Sequence, residues 1–279
     1  MKLYKVLKRV SGRLRSPFQD YEYKPGKEYT CKNFNADVEV GCSYGYYATE
    51  LEGLIYSFCD SPEYEIWEVE VGGRRVEIDQ FKRRYERIRL LRRVPLEEVK
   101  KLALAEEEKV GYKLAEVLFP IHPLRVKARL VTEAEIGLLK DWGLVWDLAW
   151  ASIRDSAWDS VRVYIWDSVR SSVGNSVWDS VRDSIRSIRS LVRASAWDSV
   201  RVYIWDSVWA SVGAYIFSLF PGIADRKCVE HSKDITPYQP CIDLWRRGFV
   251  PSFDGEKWRL HAGEEAEIVW EGALKEGSQ

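Results

Sequence analysis

From Trp142 to Phe220 the chain is written in a four-residue frame, and this frame limits the fold more than any other feature. The first place in each unit is usually Trp or Arg, the second small or Asp, the third Ser or Tyr, and the fourth Val, Ile or Ala. One unit, Arg186-Ser187-Ile188, is a residue short. The string SAWDSVRVYIWDSV occurs twice, from Ser156 and from Ser195, which marks a duplication. The segment contains no Lys, Glu, His, Pro, Cys, Gln or Thr, yet it takes nine of the 13 Trp.

In a single α-helix each unit would advance about 400°, so the Val/Ile stripe would drift about 40° per unit and no partner could follow it. Ser, Val, Trp and Asp are also roughly 0.5 kcal/mol worse than Ala in a helix. An even period suits a pleated strand, where every position keeps its face. In Trp158–Ile165, Val161, Val163 and Ile165 would point one way and Arg162 and Tyr164 the other. The expectation is therefore a tetrapeptide-repeat β-solenoid of roughly five turns, a rod about 24 Å long with Val and Ile stacked inside. The alternative is two long helices meeting near Gly174-Asn175. In the solenoid, Trp158, Arg162, Trp166, Trp178, Trp197, Arg201 and Trp205 form the outer face that would meet a protein partner. Eight Asp balance eight Arg in the repeat, which argues against a phosphate-binding stripe. Open solenoid ends would allow self-association unless covered.

The flanks differ in texture. Residues 1–94 alternate apolar and polar in Leu3-Tyr4-Lys5-Val6-Leu7 and again in Ile66–Val71, with Lys24-Pro25-Gly26 and Gly72-Gly73 as turns. Thr49 and Glu52 have capping-box spacing ahead of Leu54, Ile55 and Phe58, which predicts a helix there. The first domain is expected to be α+β. Residues 95–141 form a helical linker that starts at Pro95, breaks near Gly111 and restarts at a second capping box, Thr132 with Glu135. Residues 221–279 are expected to cap the solenoid, with a helix over 236–247 ended by Gly248 and a hairpin around Ala262-Gly263.

Charge and motif searches exclude several functions. The net charge is −1, and no Gly-rich phosphate loop, G-x-S-x-G or H-E-x-x-H occurs. The run Lys82, Arg83, Arg84, Arg87, Arg89, Arg92 and Arg93 reads as a solvated strand face, because alternation puts Ile88 and Leu90 inward. Cys228, His231 and Cys241 are one ligand short of a closed zinc site, and only His261 could complete it, so no metal and no cofactor are expected. Five Cys at scattered spacings fit reduced thiols. With no signal-peptide pattern and no long apolar window, a cytoplasmic protein away from membranes is expected, with nucleic acid an unfavoured partner.

Tyr21–Tyr29, Gly45–Thr49, Ile66–Val71 and the passage Arg89–Val99 resemble an uncharacterised domain family of phage and bacterial proteins, whose members follow this domain with short tandem repeats. The repeat makes a non-enzymatic structural or protein-interaction protein the expected function, and the resemblance implies phage or prophage association. A weaker likeness is to the ADP-ribosyltransferase-like fold, in which Tyr47 stands on the second strand and Glu70 or Glu77 at a carboxylate position. Tyr4-Lys5 stands where that fold has Arg or His. This likeness implies a nucleotide pocket of Tyr4, Tyr47 and Glu70 that would hold NAD. A third reading, a binder of single-stranded nucleic acid, rests on the repeat's aromatic residues and on the basic run from Lys82 to Arg93.

Overall fold

A computed structural model describes residues 2–18, 21–58, 62–79, 81–127, 130–146, 194–219 and 236–274. The chain divides into two compact units, the first covering Met1–Phe119 and the second most of the remainder. Among the described residues, no helix is long and apolar enough to cross a membrane.

The first unit is built on a seven-stranded antiparallel sheet of β1 (Leu3–Val10), β2 (Arg13–Arg15), β3 (Glu22–Tyr23), β4 (Glu28–Thr30), β5 (Tyr46–Ala48), β6 (Tyr64–Glu77) and β7 (Arg83–Val94). The order is β3-β2-β1-β6-β7-β4, and β5 joins the same edge of the sheet by pairing with β7. The long strands β6 and β7 slip register twice. Glu68 opposes Arg92 and Val69 opposes Leu90, which leaves Leu91 bulged, and a second irregularity lies between Gly72 and Arg75. Bulges add twist and bend a strand, and here the sheet curls until the chain beyond β5 reaches β1. Thr49, just beyond β5, bridges Tyr4 of β1 through both backbone hydrogen bonds, at 2.7 and 2.9 Å.

The curl separates two faces. On one, Leu3, Leu7, Leu14, Trp67, Val69, Ile88 and Leu90 pack with four tyrosines, Tyr23, Tyr29, Tyr46 and Tyr85. On the other, Tyr4, Val6, Ile66 and Val94 are also buried, so β1 is apolar on both faces over Leu3–Leu7 apart from Lys5. A 3-10 turn over Glu52–Tyr56 packs on β1, α2 (Leu114–Leu118) packs on that turn, and α1 (Leu96–Val110) packs on α2. The helix predicted after Thr49 is only this turn. Its capping box does not form, because the Thr49 hydroxyl donates to the Phe81 carbonyl instead, at 2.6 Å. α1 follows Pro95 and ends at Gly111, whose φ of 78° suits glycine.

The second unit corrects the repeat. Among the described residues no β-solenoid stands there. Trp142 lies in α3 (Glu133–Gly143), and Ala194–Leu219 is a single 26-residue helix, α4. Residues 147–193 lie outside the described ones. The argument against a helix assumed that one stripe must face one partner. Instead, Ile204, Ser207, Val208, Ala210, Ser211, Val212, Ala214, Tyr215, Ser218 and Leu219 are all buried, and a helix covered on most sides needs no fixed stripe. Serine is tolerated because its hydroxyl bonds back within the helix. Ser207 donates to the Ile204 carbonyl, Ser211 to that of Ser207 and Ser218 to that of Tyr215, at 2.9, 2.9 and 2.6 Å.

The carboxy-terminal segment, expected to cover a solenoid end, completes this helical core instead. α5 (Gln239–Arg246) and a three-stranded sheet of β8 (Val250–Phe253), β9 (Trp258–Ala262) and β10 (Glu267–Gly272) pack with α3 and α4 around Trp142, Ala210, Ala214, Cys241, Phe249, Trp258 and Leu260. The capping box of Thr132 with Glu135 opens α3, and Glu135 also takes Arg247 at 2.9 Å. His261 is fully buried, its Nε2 2.8 Å from the Ser252 hydroxyl and its Nδ1 2.9 Å from the Ala266 carbonyl. A carbonyl only accepts, so Nδ1 carries the proton and Nε2 accepts from Ser252.

Burial holds the His261 imidazole down at about 4, whereas an unfolded imidazole titrates near pH 6.5. Between these values the unfolded chain takes up a proton that the native state refuses. The stability of the second unit is therefore expected to be full above about pH 6.5 and to fall by about 3 kcal/mol toward pH 4 from this group alone. Denaturant unfolding followed by tryptophan fluorescence at a series of pH values checks this: His261→Gln should flatten the slope in that window.

Candidate functional site

The antiparallel register that joins Tyr4 to Thr49 would next pair Val6 with Tyr47, but the bridge is isolated and β1 and β5 part there. A cavity of about 630 Å³ opens at this seam. Lys5, Tyr23, Tyr47, Phe18, Phe81 and Lys82 line it, with Ser16, Cys42, Thr49, Ser57 and Asp79 adding polar groups. Phe18 stands 63% exposed.

Lys5 is the unusual member. It lies on the inner face between Leu3 and Leu7, opposite Trp67 of β6, and is only 8% exposed. Its Nζ donates to the Tyr47 carbonyl at 3.0 Å, supplying the bond that the parted strands do not make, and sits 5.1 Å from the centre of the Tyr23 ring. An ammonium has three protons to donate, and among the described residues no carboxylate pairs with this one. Burial alone lowers its pKa to about 8. Other lysines are held differently: Lys8 pairs with Glu63, Lys100 with Glu97 and Lys257 with Glu271.

A second cation stands at the same cavity. Lys82 Nζ lies 3.1 Å from Cys42 Sγ and 4.9 Å from the centre of the Tyr47 ring. Asp79, the one carboxylate in the lining among the described residues, turns Oδ1 to the backbone N–H groups of Phe81 and Lys82, at 2.8 and 2.7 Å, and so shapes the turn that carries Lys82. Gly53 is needed for the wall, because a Cβ there would fall 1.7 Å from the Thr49 hydroxyl oxygen. The lining thus combines two amines, one carboxylate and aromatic rings, a set that favours an anion with an apolar body.

The residues singled out from sequence fall as follows. Tyr4 and Tyr47 both line the cavity. The Tyr47 hydroxyl is occupied by the Ser43 backbone, accepting from its N–H at 2.7 Å and donating to its carbonyl at 3.1 Å. Glu70 does not line the cavity; it is exposed and pairs with Arg89. Trp158, Arg162, Trp166 and Trp178 lie outside the described residues, and Trp197 and Arg201 are on α4. Trp205, also on α4, meets Trp209 edge to face at 5.8 Å. In the basic run, Arg83 pairs with Glu50, Arg87 with Glu28, Arg89 with Glu70, Arg92 with Glu68 and Glu98, and Arg93 with Glu65. Cys228 and His231 lie outside the described residues. Cys241 is buried with its thiol pushed up to about 12, and among the described residues no cluster of metal-ligating side chains occurs.

Sequence reasoning missed Lys5 as a site residue. The signal was present, since Leu3-x-Lys5-x-Leu7 puts a lysine on an apolar face of a strand, but only the closure of β1 against β5 makes that position a cavity wall. The chain matches no family model, no curated protein and no solved structure.

Holding Lys5 charged inside the fold costs about 3 kcal/mol at neutral pH, given its displacement to about 8. That cost is full below pH 8 and vanishes above the ordinary lysine value near 10.4. Lys5→Met loses the bond to the Tyr47 carbonyl, worth about 1–2 kcal/mol, and is still expected to stabilise the chain by about 1–2 kcal/mol at pH 7. The advantage should disappear by about pH 10 in paired chemical-denaturation curves.

Proposed function

We propose that the first unit is a non-enzymatic binding module that takes a small organic anion with an apolar or aromatic body into the Lys5 cavity. The observation that carries this reading is the Lys5 amine, buried in the cavity wall with a carbonyl and an aromatic ring for company and, among the described residues, no carboxylate. A buried charge is normally paired. A ligand carboxylate or phosphate supplies the missing partner, and Lys82 adds a second attraction. The rings of Tyr23, Phe18 and Phe81 suit the apolar body.

NAD, the ligand implied by the transferase likeness, has weaker support. Tyr47 offers it a ring but not a free hydroxyl, and Glu70 is directed to Arg89. The tryptophans of the repeat enter no part of this reading.

Isothermal titration of the full chain with benzoate, phenyl phosphate, NAD and the neutral benzyl alcohol tests the proposal. Benzoate or phenyl phosphate should bind and benzyl alcohol should not. Charge-assisted hydrogen bonds are worth about 1.5–3 kcal/mol, so Lys5→Met should weaken the anion by about ten- to a hundredfold. Equal heats for benzoate and benzyl alcohol, or an unchanged affinity in Lys5→Met, would overturn it.

A further inference from the structure

We propose that Lys5 holds its ligand covalently: its amine condenses with an aldehyde or ketone group of the bound organic anion to form a reversible imine. This rests on the binding reading above and adds a carbonyl to the ligand's chemistry.

Three features of the geometry support it. First, the nucleophile is inside the cavity and positioned, with Nζ fixed by the Tyr47 carbonyl and the Tyr23 ring. Second, no carboxylate among the described residues holds it as an ammonium. Lys8, Lys100 and Lys257 each face a carboxylate that favours the charged form, while Lys5 faces none among the described residues. A desolvated lysine is the kind that enzymes use for imine chemistry. Third, Lys82 lines the same cavity, so a ligand's carboxylate or phosphate has a cation of its own while its carbonyl carbon meets Lys5.

The step balances without an oxidant or a reductant. The Nζ lone pair adds to the carbonyl carbon, the C=O π pair moves to oxygen, and a proton passes from nitrogen to oxygen through solvent, giving a carbinolamine. The nitrogen lone pair then forms C=N as the C–O bond breaks. The oxygen departs as water, carrying both protons that the neutral amine held. With its amine titrating at about 8, Lys5 is neutral about a hundredfold more often at pH 7.5 than an ordinary lysine.

The experiment uses the full chain with glyoxylate, the smallest aldehyde acid, and cyanoborohydride to reduce the imine to a stable carboxymethyl-amine located by peptide mass mapping. Lys5 should label at least about tenfold faster than Lys8 or Lys100 at pH 7.5, because the neutral amine is the reacting form. Its rate should level off above about pH 8, whereas the rate of an ordinary lysine is still rising there. Benzoate should slow the labelling of Lys5 alone, and Lys82→Met should slow it several-fold. Labelling of Lys8 and Lys100 with Lys5 unmodified would overturn the proposal, and that result needs no variant that has to fold. Lys5→Arg, which retains the cation but forms no imine, should still bind benzoate and show no label at position 5. If benzoate binds the native chain and Lys5 stays unlabelled, the imine fails and the binding reading stands. If Lys5 labels but benzoate neither binds nor protects it, the imine stands and the binding reading fails.

Discussion

A curled antiparallel sheet must either close completely or leave a seam, and this one closes through a single bridge. Tyr4 and Thr49 exchange both backbone hydrogen bonds, and the ladder stops there. Everything at the candidate site follows from that arrest. The carbonyl of Tyr47 lacks a strand partner and accepts the Lys5 amine, and the gap between β1 and β5 becomes the cavity. The turn after β5 returns the chain against β1, with Gly53 passing the Thr49 hydroxyl and that hydroxyl tied to Phe81. One backbone irregularity thereby places the cavity, its buried amine and part of its wall.

The bulges in β6 and β7 are the other half of this arrangement. A flat sheet would keep β5 apart from β1, with β6 and β7 between them. The slip at Leu91 changes which residues of β7 face inward, so that Ile88 and Leu90 lie in the aromatic interior while Arg92 and Val94 share the face of Ile66 and Glu68. The charges on the far side then pair across strands, Arg92 with Glu68 and Arg89 with Glu70. Such exposed pairs add little stability each, but they leave the long basic run without a common free face among its paired members.

Period-two alternation made β1, β6 and β7 legible, along with the caps around Pro95 and Thr132 and the hairpin at Ala262-Gly263, because each depends on neighbours in sequence. The repeat was misjudged for a physical reason. Its four-residue period drifts around a helix, which forbids a helix packed on one side but not one enclosed on most sides, and its serines satisfy their own hydroxyls by bonding to the preceding turn. Enclosure is a property of α5, β8 and the rest of the core, and the repeat itself carries no trace of it. The same limit applied at Thr49 and Glu52, where capping-box spacing was present and the threonine hydroxyl found a better partner 32 residues away. Closure of the sheet, and so the cavity, depends on a contact between positions 4 and 49 that no local pattern encodes.

The first unit buries two cations, and their surroundings differ in a way that separates architecture from function. Arg84 is fully buried, and its guanidinium donates to the carbonyls of Val40 at 3.1 Å and of Asp37. Those bonds hold the backbone of the 37–40 loop, and its side chain fills the space that a Cβ at Gly45 would occupy. A planar guanidinium suits that task, because its donors are fixed in direction. Lys5 holds one carbonyl and no loop. If closing the Tyr47 carbonyl were its whole purpose, a neutral donor such as Gln or Ser would serve at lower cost, since burying an unpaired ammonium opposes folding and burying an amide or hydroxyl with its partner scarcely does. The Lys5 amine opposes folding where it stands and lines the seam between β1 and β5, and on that combination the binding proposal rests.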